Sequence, residues 1–201
     1  MSSLLGLLFS IVLVVNAFSQ GMSPIDVADR TSFKSIQLTA IGKFGITRKA
    51  RPNVPSHIHT GIDIKRPGKN YEYDPIYPVA KGTVISKRDD GPYAQLIVVH
   101  DRGSKLFWSV YEHIAGISVN VGDDVDPMKP IARFMNKGEL DRHGWQFDHF
   151  HLEILKIKPK PIKPDRKTPS RFFNSYTLDC HTVADLHQYF HDPVKFLISD
   201  F

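Results

Sequence analysis

Short runs of β-branched, aliphatic and aromatic residues recur along the middle of the chain, at 76–79, 83–86, 95–100, 107–111, 119–121 and 130–134. Between them stand Lys81-Gly82, Asp90-Gly91-Pro92, Arg102-Gly103 and Gly122-Asp123, residue types that supply the backbone angles of tight turns. Strand-length runs punctuated in this way predict an antiparallel, mainly β domain. The run 150–157 is the last strong strand. In it Phe150, Leu152 and Ile154 alternate with His149, His151 and Glu153, so one face is apolar while the other carries two histidines and a carboxylate.

The flanks read differently. Residues 20–50 form a polar extension of weak periodicity, with one short strand expected at 35–38. After the last strand the chain is basic and crowded with Pro159, Pro161 and Pro164, too many for a helix or a central strand. An extended surface connection is expected over 156–169. Thr182 then stands where a helix N-cap is wanted, which predicts one short C-terminal helix over 182–190. No internal repeat or second domain is evident, so residues 51–201 are expected to fold as a single domain built on one antiparallel sheet or a sandwich-like pair.

Composition narrows this picture. With 201 residues, 41% hydrophobic and 23% charged, the chain can bury one core, and it falls outside disordered and coiled-coil compositions. The single Cys180 excludes a disulfide scaffold and is expected to be a small buried hydrophobe rather than a nucleophile. A net charge of +5 favours an anionic partner. The basic stretch lacks the interleaved aromatics of a nucleic-acid surface, so no nucleic-acid partner is expected. At the N-terminus an apolar run over 4–15 precedes Ala17-Phe18-Ser19. The run falls short of the ~20 residues that cross a membrane, so residues 1–19 are expected to be a cleaved secretory signal, leaving a secreted or periplasmic chain with no transmembrane anchor.

Ten histidines and 17 aspartates make histidine motifs common by chance. About 0.8 His-x-x-x-Asp and about 0.45 His-x-His matches are expected at this composition, and each occurs twice: His59/Asp63 and His181/Asp185, His57/His59 and His149/His151. Spacing alone therefore decides nothing. Geometry adds more. A zinc ion needs converging nitrogen and oxygen donors, so His59 and Asp63 can share one only if the chain bends at Gly61 between them. His149 and His151 lie on one strand face, where one can ligate while the other stands beside a water.

The surroundings separate signal from coincidence. His59-Thr60-Gly61-Ile62-Asp63-Ile64, Tyr111-Glu112-His113-Ile114 and His149-Phe150-His151-Leu152-Glu153-Ile154 resemble, in order, the signature segments of the lysostaphin-type (LytM-like) zinc metallopeptidases. The intervening run from Pro75 to Val84, the segment Val121-Gly122-Asp123-Asp124-Val125 with Ile131, and the closing Asp192-Pro193-Val194-Lys195-Phe196-Leu197 resemble further pieces of that family. The resemblance implies a duplicated-hybrid-motif β domain, one Zn²⁺ held by His59, Asp63 and His151, and catalytic roles for His113 and His149 at the reacting water. It also implies an exported endopeptidase acting on the peptide cross-links of bacterial peptidoglycan. A non-catalytic binding or hydrolase-activating protein of the same fold is the alternative, and such proteins typically lack a metal ligand or the histidine of the Tyr-x-His segment.

Other positions divide between two roles. The loop 136–148 departs from the family's Gly/Thr/Ser-rich loop, leaving Arg142 and Trp145 either to touch substrate or, for Trp145, to pack on the sheet. His57 is expected in a solvated loop. His181/Asp185 and His187/His191 are expected on the exposed surface of the C-terminal helix. Residues 20–50 hold no evident zinc ligand, although covering the groove is a role open to them.

Overall fold

The computed structural model describes residues 21–52, 54–103 and 105–199; the signal-like segment 1–19 lies outside them. Seven strands make the main sheet: β1 (Ile62–Lys65), β2 (Gly82–Arg88), β3 (Gln95–Asp101), β4 (Leu106–Glu112), β5 (Asp124–Val125), β6 (His149–Leu155) and β7 (Phe190–His191). Their order is β7-β6-β4-β3-β2-β5, and every pairing is antiparallel. β1 adds to the edge of β6 that β7 also uses, so β6 is flanked along one side by two short strands set end to end and along the other by β4. Three short helices, α1 (Lys137–His143), α2 (Val183–Tyr189) and α3 (Pro193–Ser199), complete the mainly β architecture.

Both faces of the sheet are covered, as a sandwich-like layering requires. Phe150, Leu152 and Ile154 of β6 join Leu96, Val98 and Tyr111 in the larger cluster, closed by Ile25, Ile76, Ile131, Phe134 and Phe196. The opposite face packs Leu155, Trp108, Val110 and Ile97 against Ile58, Leu186, Phe190 and Cys180. Cys180 is fully buried, and burial pushes its thiol up to about 11, which matches a packing role.

Some elements differ from the sequence expectation. The run 119–121 forms no strand, and β5 lies just beyond the Gly122 turn instead. The run 130–134 shortens to Ala132–Arg133, paired with Pro75–Ile76. α1 occupies the loop 136–148; Asn136 and Glu139 close a reciprocal capping box that starts it. α2 is capped by Thr182 as expected. Residues 21–46 are irregular and anchored at a few points: Ile25, fully buried, bridges Ile76 and Leu38 bridges Ile64, and just beyond them Thr47–Arg48 pairs with His57–Ile58.

A buried polar chain crosses the larger cluster. The Lys81 carbonyl accepts from His100 Nδ1 at 2.8 Å, His100 Nε2 accepts from Ser109 Oγ at 2.7 Å, and Tyr111 Oη accepts from the Val79 N–H at 2.9 Å. Burial pushes His100 down to about 4. An unfolded histidine near 6.5 binds its proton earlier, so the unfolded state gains protons as pH falls through this window and stability drops. His100 alone is expected to remove about 3 kcal/mol between pH 7 and pH 4. Urea midpoints measured over that range check this, and His100→Gln should remove that share of the dependence.

Candidate metal centre

Strand register assembles the site. Asp63 on β1 pairs with His151 on β6, which pairs in turn with Glu112 on β4. Because neighbours in register share a face, Asp63 and His151 project together, away from the cluster that takes Ile62, Ile64, Phe150 and Leu152. His59 arrives from the other side of Gly61. That glycine is required by close approach: a Cβ there would lie 2.2 Å from the Leu152 carbonyl oxygen and 2.8 Å from the His151 ring. Gly61→Ala must therefore displace β1 or the His151 ring, and is expected to weaken zinc binding by at least about tenfold and to lower the melting temperature. Metal titration and thermal melts of the variant check both effects.

The three side chains converge tightly. His59 Nε2 lies 3.1 Å from Asp63 Oδ1 and 3.0 Å from His151 Nδ1, and His151 Nδ1 lies 2.9 Å from Asp63 Oδ1. Among the described residues this is the one group placed to hold a metal ion. Outer partners fix which atoms face inward. His59 Nδ1 lies 2.8 Å from the Lys43 carbonyl, so that nitrogen carries the hydrogen and Nε2 presents a lone pair. His151 Nε2 lies 3.0 Å from Glu153 Oε1, which likewise turns the Nδ1 lone pair inward. Asp63 Oδ2 accepts from Arg48 Nη2 at 2.5 Å, leaving Oδ1 to the centre.

With both histidines neutral, three lone pairs face one another across about 3 Å, an arrangement that repels unless a cation lies between them. The donor set fits zinc, since tetrahedral ligation at about 2.1 Å sets donors about 3.4 Å apart. Without an ion, a proton on His151 does this work. Burial would depress His151, but hydrogen bonds to Asp63 and Glu153 outweigh it and raise the imidazole to about 10. Burial would raise Asp63, yet His151 and His59 hold its carboxyl well below the usual range. Burial lowers His59 and raises Glu112 to about 7.

Two further histidines stand beside the triangle. His113 follows β4 at a φ of 63°, a left-handed conformation that costs a non-glycine residue on the order of 1 kcal/mol. Its Nδ1–H donates to the Pro92 carbonyl at 2.6 Å, so Nε2 carries the lone pair. Phe147 and Tyr93 flank the ring at 4.9 and 5.9 Å between centroids. His149 meets His113 edge to face at 5.2 Å, and its Nε2 lies 3.7 Å from Asp63 Oδ1. Burial pushes both imidazoles down to about 4, so both are neutral bases at pH 7. Arg66 holds the approach to His149: its buried guanidinium donates to Asp148 at 3.0 Å, to Asp74 and to the Met135 carbonyl.

The structure thus brings together His59, Asp63, His113, His149 and His151. It separates the others. His57 is buried in the pair with Arg48, its Nδ1 2.9 Å from the Pro55 carbonyl, and is not a solvated loop residue. Asp185 caps α2, His181 precedes that helix, and His191 lies in β7 rather than on the helix. Trp145 donates to Asp141 and packs edge-on to Tyr71 at 5.5 Å, on the same short turn as Phe147. Sequence reasoning missed Arg48 and the role of Glu153. The latter had a readable signal, since it sits two residues beyond His151 on the same strand face.

Residues 57–164 match the model of Peptidase family M23. The chain belongs to that family. The M23 segment contains all five assembled histidine and aspartate positions, whereas Arg48 precedes it. No curated protein matches the chain. Solved structures similar to this M23 chain include a zinc-containing peptidase from Vibrio cholerae, at 22% identity over 68% of this chain and 37% of that one, TM-score 0.46. Lysostaphin is similar at 17% identity over 82% of this chain and 51% of its own, TM-score 0.48. LytU is similar at 23% identity over 62% and 76%, TM-score 0.42. The chain spans 37% and 51% of the length of the first two.

Proposed function

We propose that this M23 chain is an exported zinc endopeptidase that hydrolyses peptide cross-links of bacterial peptidoglycan. The observation that carries the reading is the triangle of inward lone pairs on His59, Asp63 and His151, with the neutral imidazoles of His113 and His149 beside it. Bound zinc supplies Lewis acidity, polarising a scissile carbonyl and making water a stronger acid. The remaining work falls to the chain. His113 Nε2, its lone pair directed by the Nδ1–H bond to the Pro92 carbonyl, takes the proton of the attacking water, while a ring N–H of His149, placed by β6, hydrogen-bonds the developing oxyanion. Phe147 and Tyr93 limit water around His113, which keeps that nitrogen unprotonated.

Charge supports the choice of substrate, since a net +5 suits the anionic cell wall. The export reading rests on the apolar run over 4–15. Among the described residues no helix is long and apolar enough to cross a membrane. The test is mass spectrometry of products released from purified sacculi by residues 20–201 loaded with one equivalent of zinc. New peptide amines are expected from the loaded protein and none after chelation. Hydrolysis that survives metal removal, or a loaded protein that releases nothing, overturns the proposal.

A further inference from the structure

Glu153 is the point where three separate stretches of chain meet behind the metal centre. Its carboxylate is 1% exposed and offers about four acceptor sites. Four donors reach it, three at Oε1 and one at Oε2. Oε1 accepts from His151 Nε2 at 3.0 Å, from Thr60 Oγ1 at 2.5 Å and from Thr177 Oγ1, while Oε2 accepts from Ser175 Oγ. Thr60 adjoins His59. Ser175 and Thr177 come from beyond the basic, proline-rich connection and lie outside the family-matched residues 57–164.

We infer that Ser175 and Thr177 are positioning residues of the metal centre, acting through Glu153 to hold His151 in the tautomer that turns Nδ1 to the ion. Each hydroxyl has one proton to give, and each gives it to a group that can only accept while ionised. A carboxylate gripped by donors on both oxygens is held from swinging away from the imidazole, so His151 Nε2 keeps its hydrogen on the Glu153 side. The distal stretch is well anchored for this task. Lys160–Pro161 pairs with Phe173–Asn174 just ahead of Ser175, Lys160 Nζ donates to Asp179 at 2.9 Å, and the Cys180 carbonyl accepts from the Ile58 N–H at 2.9 Å, one residue from His59. Thr177 Oγ1 also lies 3.1 Å from both Thr60 Oγ1 and Ser175 Oγ, so the hydroxyls pack as a unit.

The inference rests on the zinc reading above, and its test separates the two. Zinc affinity is measured by chelator competition on the full chain and on Thr177→Val, Thr177→Ser and Ser175→Ala, with melting curves for each and histidine ¹⁵N shifts of the zinc-loaded proteins. Thr177→Val and Ser175→Ala are expected to weaken zinc binding by about tenfold each. Thr177→Ser, which keeps the hydroxyl, should bind as the parent does. The His151 signals should report a hydrogen-bonded Nε2–H in the parent, and in Thr177→Val that hydrogen should exchange faster with solvent as the bond to Glu153 loosens. If Thr177→Val fails to fold, the comparison of Ser175→Ala with Thr177→Ser decides. Parent-like affinity in Ser175→Ala and Thr177→Val, or equal weakening by Thr177→Ser and Thr177→Val, overturns the inference and leaves the zinc reading intact. A parent chain that binds no zinc overturns both.

Discussion

Replacing His151 with alanine is expected to abolish stoichiometric zinc binding and hydrolysis together. The variant removes one corner of a triangle whose other corners, His59 Nε2 and Asp63 Oδ1, lie 3.1 Å apart, and it leaves Glu153 buried without its imidazole donor. Two remaining ligands cannot match three, and an affinity loss of at least about a thousandfold, or about 4 kcal/mol, is expected in a chelator competition. His57→Ala is the matching control: His57 is also buried, but its ring nitrogen bonds the Pro55 carbonyl and stands outside the triangle. The affinity of the parent should fall with pH, because the ion competes with the proton that Asp63 and Glu153 favour on His151. Isothermal titration at several pH values reads that competition directly.

His113→Asn separates chemistry from metal binding. Asparagine tolerates the left-handed backbone at this position better than alanine does, so the fold should survive while the Nε2 base is lost. The expected result is a fall of about 10²–10⁴ in kcat with zinc affinity and melting temperature close to those of the parent. The pH profile sharpens the point. Burial lowers His113, so its neutral form is present above about 4 and is lost as pH falls through that value. The parent should thus keep its base well below pH 6.5, where an exposed imidazole would already be protonated. A variant with parent-like kcat would remove His113 from the mechanism.

Legibility in the sequence followed the range of the interactions. The alternation in β6 was readable because a strand's period of two is local, and it assigned His149, His151 and Glu153 to one face and Phe150, Leu152 and Ile154 to the core. The convergence of His59, Asp63 and His151 was implied by resemblance, since register across β1 and β6 joins residues 88 apart in sequence. The sequence pattern does not announce α1, although Asn136 and Glu139 spell a capping box, because its seven residues bury only Leu140 and so carry almost no helical periodicity. A solvated loop is the expectation for His57 because nothing near it in sequence announces the pairing of its short strand with Thr47–Arg48. Ser175 and Thr177 left no signal at all. Their partner is 22 and 24 residues away, and hydroxyls are common on any surface.

The two-sided pairing of β6 also decides how the site fails. A strand held by β1 and β7 along one edge and β4 along the other can shift by one residue only by sending His149, His151 and Glu153 into the apolar layer and Phe150 toward the groove. A half-shifted β6 therefore has no stable packing, and in each molecule the strand is expected to be either in register or out of it. Destabilising substitutions elsewhere in the sheet should lower the number of zinc sites counted per chain while leaving the affinity of the surviving sites unchanged.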